Sequence, residues 1–79
     1  MKVQVTVYKR GQIASQFEVV TFKKALSVAA HELGKQVEHY TLGNVPVKVE
    51  TSFLSKTEWT CTLFGRLGEE FGITVEQTK

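Results

Sequence analysis

The chain contains no aspartate: all eight of its acids are glutamates. That removes an Asp-oriented catalytic triad, an EF-hand calcium loop and the usual carboxylate metal clusters. There is one cysteine, Cys61, which excludes an internal disulfide framework and fits a reducing compartment. His31 and His39 stand two helical turns apart, too far to share one metal in the i, i+4 manner, so no metal site and no cofactor is expected. Low-complexity tracts, Pro-rich linkers, runs of like charge and internal repeats are all missing. The opening Met1-Lys2-Val3-Gln4 has nothing of a signal peptide, and no segment is long enough to span a bilayer. These features predict a cytoplasmic protein with no membrane partner.

What is present is a pattern of alternation and then of helical period. Val3, Val5 and Val7 alternate with polar residues, and Ile13, Ser15, Phe17 and Val19 resume the alternation after Tyr8-Lys9-Arg10-Gly11. This predicts a hairpin from Lys2 to Val19 or Val20 with a three- to five-residue loop, in which Gly11 takes positive φ. Thr21 then occupies an N-cap position. Phe22, Leu26, Ala29, Leu33, Val37 and Tyr40 recur at spacings of three and four, one face of a helix over 22–40. Lys24, Ser27, His31, Lys35 and Glu38 fall on the opposite face, and Gly34 marks a point where the helix bends or ends early. Gly43-Asn44 and Pro46 stop it.

Val47, Val49, Thr51 and Phe53 form a third strand, a tight turn follows at Ser55-Lys56, and Trp59, Cys61 and Leu63 form a fourth. Gly65, Gly68 and Gly72 then suggest a loop or one helical turn, before a short last strand over 73–76. The sequence therefore predicts one α+β domain over residues 1–79, ββαβββ, an antiparallel sheet with one amphipathic helix packed on one face. Numbering strands along the chain, two orders fit, 2-1-3-4-5 and 2-1-5-4-3; in both, the strand from Gln12 to Val20 is an edge. The expected core is Val5, Val7, Phe17, Val19, Leu26, Ala29, Leu33, Val49, Trp59, Cys61 and Leu63. With one sheet face against one helix, net stability is expected at only ~3–5 kcal/mol.

The chemistry-bearing residue types give no catalytic set. The histidines read as solvated helix residues and Cys61 as a buried small hydrophobe. Glu69-Glu70 reads as a solvated turn. Gly65-Arg66-Leu67-Gly68 lacks the Gly-Lys-Ser/Thr ending of a phosphate loop. Two surfaces remain as contact sites. One is the hairpin tip, Tyr8, Lys9 and Arg10, extended by Lys23 and Lys24 if the helix start lies beside it. The other is the open sheet face around Lys48, Glu50, Thr62 and Phe64.

Net charge is +2, too small to argue for nucleic acid by itself. The leading expectation is a small non-enzymatic protein-binding module, an inhibitor or regulator of a larger protein. Its general look is that of compact proteins that viruses and mobile elements, phages among them, encode to block a host protein; no single residue carries that association. The second expectation is a nucleic-acid-binding module using the basic hairpin tip. The third is an assembly subunit, a homodimer formed through an edge strand.

Overall fold

The computed structural model describes residues 2–78. Two strands, β1 (Lys2–Lys9) and β2 (Gln12–Val19), lead into helix α1 (Phe22–Leu42), and three more follow: β3 (Lys48–Ser55), β4 (Glu58–Gly65) and β5 (Gly68–Thr78). All neighbours pair antiparallel in the order β2-β1-β5-β4-β3. This is the second of the two orders the sequence allows, and it makes β3 an edge as well as β2.

The first hairpin is tighter than the sequence suggests. Lys9 pairs with Gln12, so the turn is the two residues Arg10 and Gly11, with φ of 52° and 80°. Two consecutive positive φ values match the right-handed twist of the strands, which is why such turns close hairpins. Thr21 caps α1 by accepting a hydrogen bond from the Lys24 N–H at 3.1 Å. The helix runs unbroken through Gly34 to Leu42. Its end differs in detail: Gly43 stays at φ −87°, and Asn44 takes the left-handed position at 58°.

The largest departure is β5. It has eleven residues and lies at the centre of the sheet, where the glycine spacing suggested a loop. The cause is a bulge. Leu63 faces Phe71 but Phe64 faces Glu69, so Glu70 is an extra residue that shifts the alternation by one. Once Glu70 is set aside, Phe71, Ile73 and Val75 fall in phase on the buried face.

The core is Val3, Val5 and Val7 of β1, Phe71, Ile73 and Val75 of β5, Leu63 and Cys61 of β4, and Ala25 and Ala29 of the helix. Phe17, Val19, Phe22, Leu26, Leu33, Val37, Tyr40 and Trp59 pack against it, half-buried. Five of the fully buried residues, Val3, Ala25, Phe71, Ile73 and Val75, were absent from the expected core. Val49 is a correction in the other direction: it is 38% exposed. The helix packs chiefly on β5, then on β1 and β2, and Val49 on the far edge lies beyond its reach.

Two expectations follow. Phe71→Ala should cost about 3–5 kcal/mol, enough to leave most of so small a domain unfolded by circular dichroism without denaturant, whereas Leu67→Ala, at 91% exposure, should shift a urea titration by no more than ~0.5 kcal/mol. Equal small effects would return this segment to a loop. The second concerns Cys61, fully buried and a free thiol, whose pKa burial pushes up. The unfolded chain then loses the thiol proton at a lower pH than the folded one. Stability is therefore whole below the thiol's ordinary range and falls as pH rises through it toward the folded pKa. Cys61→Ala should lower stability at neutral pH yet remove that part of the alkaline decline, read from unfolding curves between neutral and alkaline pH.

Candidate functional site

Strand alternation and cross-strand register sort every strand side chain onto one of two faces. The face away from the helix carries Lys2, Gln4, Thr6 and Tyr8 from β1 and Ile13, Gln16 and Glu18 from β2. From β5 come Glu69, Gly72, Thr74 and Glu76, from β4 Glu58, Thr60, Thr62 and Phe64, and from β3 Lys48, Glu50 and Ser52. Five glutamates share this face with two lysines, and both lysines are already paired. Lys2 lies 3.6 Å from Glu18 and Lys48 lies 3.4 Å from Glu50. Glu58 and Glu76 stand directly opposite one another across the β4–β5 ladder. Among the described residues neither has an ion-pair partner. Like charges so placed oppose folding by a few tenths of a kcal/mol or more. A chain with a net charge of +2 thus presents an acidic sheet face.

Toward the hairpin-tip end the same face holds a depression of about 270 Å³, lined by Tyr8, Gly11, Thr60, Thr62, Glu69 and Thr74, with Gly72 in its floor. Glycine is what leaves it open. A Cβ at position 72 would lie 3.4 Å from a Glu69 carboxylate oxygen, 3.4 Å from the Cys61 carbonyl and 3.8 Å from Tyr8 Cβ. Glu69 therefore leans over the floor, with an aromatic ring and threonine hydroxyls around it. No lysine or arginine lines this depression.

The expected contact residues divide. Tyr8, Gly72 and Thr62 lie in one cross-strand row that continues to Glu50, and Phe64 with Lys48 forms the next row, so five of the nine come together. Lys9 alternates to the helix side, away from Tyr8. Lys23 and Lys24 do not extend the tip, which is a correction. The tip lies beside the helix C-terminus, where the Tyr40 hydroxyl donates to Glu70 at 3.5 Å, and the first helical turn is roughly 25 Å away along the axis.

Arg10 is also more than a solvated turn residue. Its Nε stands 3.4 Å from the Glu70 carboxylate, and its backbone N–H donates to the Glu70 carbonyl at 3.2 Å. The Arg10 side chain is 81% exposed but that of Glu70 only 10%, so Glu70 is not the solvated turn the sequence suggested. The bulge turns Glu70 inward over Gly65, where a Cβ would approach Glu70 Cγ to 2.8 Å. Glu58, Glu69, Gly72 and Glu76 were missed as site residues. Their signal was parity: Glu58 and Glu76 are each one residue out of phase with a core-side neighbour, the half-buried Trp59 and the buried Val75.

Among the described residues, no group of three or more His, Cys, Asp or Glu could hold a metal ion, and no helix is long and apolar enough to cross a membrane. Comparison with family models, curated proteins and solved structures finds no match.

The Arg10–Glu70 contact separates two adjacent cations. Arg10→Glu should destabilise the protein by about 1–2 kcal/mol, because a mostly buried carboxylate loses its cation and faces a like charge; the exposure of Arg10 keeps the figure small. Lys9→Glu should stay within ~0.5 kcal/mol of the parent. Urea titrations of the two variants at neutral pH make the comparison, and an equal response would mean the ion pair does not form.

Proposed function

We propose that the chain is a non-enzymatic protein-binding module of the inhibitor or regulator kind, and that its open sheet face docks a basic protein surface. The observation that carries this is the sign of that face: five glutamates against two already paired lysines. Keeping Glu58 opposite Glu76 opposes folding, and a cationic partner relieves it. The depression beside it suits the same chemistry. Glu69 and the hydroxyls of Thr60, Thr62 and Thr74 offer acceptors, and Tyr8 a ring face, to a lysine or arginine side chain.

Nucleic acid fits this face poorly, since its phosphates would meet Glu69, Glu58 and Glu76. The cations that favoured it, Lys9, Lys23 and Lys24, lie at opposite ends of the helix. A cytoplasmic setting belongs to the same reading, supported by a buried cysteine left as a free thiol.

The test uses Glu58→Gln together with Glu76→Gln. The double variant should be equal to or more stable than the parent by a few tenths of a kcal/mol, because a like-charge pair is gone. It should nonetheless lose the partner that immobilised parent protein retains from cells of the source, and the parent complex should weaken as salt rises. Retention of the same partner by both proteins would overturn the reading. So would steep, salt-dependent binding of an oligonucleotide by the parent, lost in Lys9→Glu.

A further inference from the structure

We infer that β3 is the interface for a second copy of this chain, joined antiparallel about a two-fold axis that passes beside Thr51. The starting observation is how little covers this strand. All eight residues of β3 are exposed, and its ladder is with β4 alone. The helix packs on β5, β1 and β2, so the sheet runs on past it. On the helix side of that overhang stand Val49 and Phe53, at 38% and 62% exposure, next to half-buried Trp59. Leu54, 60% exposed, sits in a bulge at the end of the strand.

The other edge is better protected. A bulge at Ala14 interrupts β2, its helix-side Phe17 and Val19 lie partly under α1, and its outer positions beyond the exposed Ile13 at the hairpin end are Gln16 and Glu18. An edge strand with exposed apolar residues and no proline is the one built to pair.

The occupant follows from register. Two copies of one strand, paired antiparallel around an axis perpendicular to the sheet, must keep each residue opposite one of the same face. The axis therefore passes beside a residue. Placed at Glu50, it sets Glu50 against itself. Placed at Ser52, it sets Lys48 against Lys56 of the other copy and Thr51 against Phe53. Placed at Val49 or at Phe53, it overlaps only one end of the strand and brings into the ladder Pro46, which has no N–H, or the bulge at Leu54. Placed at Thr51, it overlaps Lys48 through Leu54. It puts Val49 opposite Phe53 twice, Glu50 opposite Ser52, and no like charges together.

In that arrangement the apolar row Val75, Trp59 and Phe53 continues into Val49, Leu63 and Phe71 of the other copy. The core row of one sheet thus becomes that of a ten-strand sheet. The two open faces lie on the same side, side by side. The assembly closes on itself, because both β3 edges are used.

Thr51, opposite its own copy, supplies the test. The parent should sediment as a dimer at sub-millimolar concentration. Thr51→Lys and Thr51→Glu should each dissociate, with a dimerisation constant weaker by about tenfold or more, since each places like charges face to face. Mixed in equal amounts, the two variants should recover the dimer, because lysine then faces glutamate. Slow native reaction of Cys61 with a thiol reagent checks that each variant is folded. A parent that stays monomeric overturns the inference whatever the variants do. So does a pair of folded variants that remain dimeric alone, or that fail to associate when mixed.

Discussion

One α-helix with its side chains is roughly 10–12 Å across, while five hydrogen-bonded strands span about 19 Å. The helix therefore covers about half of the sheet, and which half it covers sets the rest of the molecule. Here α1 lies over β5, β1 and β2, where Ala25 and Ala29 allow close approach to the valines of β1 and to Ile73 and Val75. The strands outside it grade from buried to bare. Trp59 on β4 is half-buried, and Phe53 opposite it on β3 is 62% exposed. The overhang is a direct result of putting the last strand in the centre: β4 and β3 can then stack only outward from β5, away from the helix.

That central placement is what the sequence concealed. The hairpin, the helix with its Thr21 cap, and the β3–β4 pair were legible because their periods run unbroken. β5 was not, because Glu70 is a bulged residue and the glycines around it look like loop punctuation. Each glycine has a different cause. Gly68, at φ 106°, opens the strand after the turn, Gly65 leaves room for the Glu70 side chain, and Gly72 lies over the Cys61 carbonyl. Reading the three together as one flexible stretch hid the longest strand and with it three core residues, Phe71, Ile73 and Val75. The two strand orders compatible with the pattern differ only in whether that strand is central or an edge, so losing its length also lost the means to choose.

The site was partly legible for a related reason. Alternation alone places Thr62, Phe64, Lys48 and Glu50 on one face, and β-pairing then brings Tyr8 beside them. What alternation cannot supply is the sum across strands. Glu18, Glu50, Glu58 and Glu76 are separated by long stretches of chain, each an ordinary outward residue in its own strand. Pairing of all five strands into one sheet assembles them onto one surface, and the bulge at Glu70 adds Glu69. The overall charge of +2 points the other way because the cations sit elsewhere. Lys23, Lys24 and Lys35 are on the outer face of the helix, and Arg10 is committed to Glu70.

The placement of charge also explains why local clusters misled. Lys9 and Arg10 are adjacent in sequence, but a two-residue turn sends consecutive side chains in different directions. Arg10 holds the bulge by both backbone and side chain, and its exposed guanidinium serves a mostly buried acid of the sheet. A basic tip is thus in part a neutralising device for Glu70, whose carboxylate the bulge turns inward between Arg10 and Tyr40. Of the sheet's glutamates, those left without such a device, Glu58, Glu69 and Glu76, are all on the open face. A domain with so thin a core has little stability to spend on unrelieved like-charge contacts. Their concentration on the one face that the helix does not cover keeps them in water, and it is the feature on which the proposed docking of a basic partner rests.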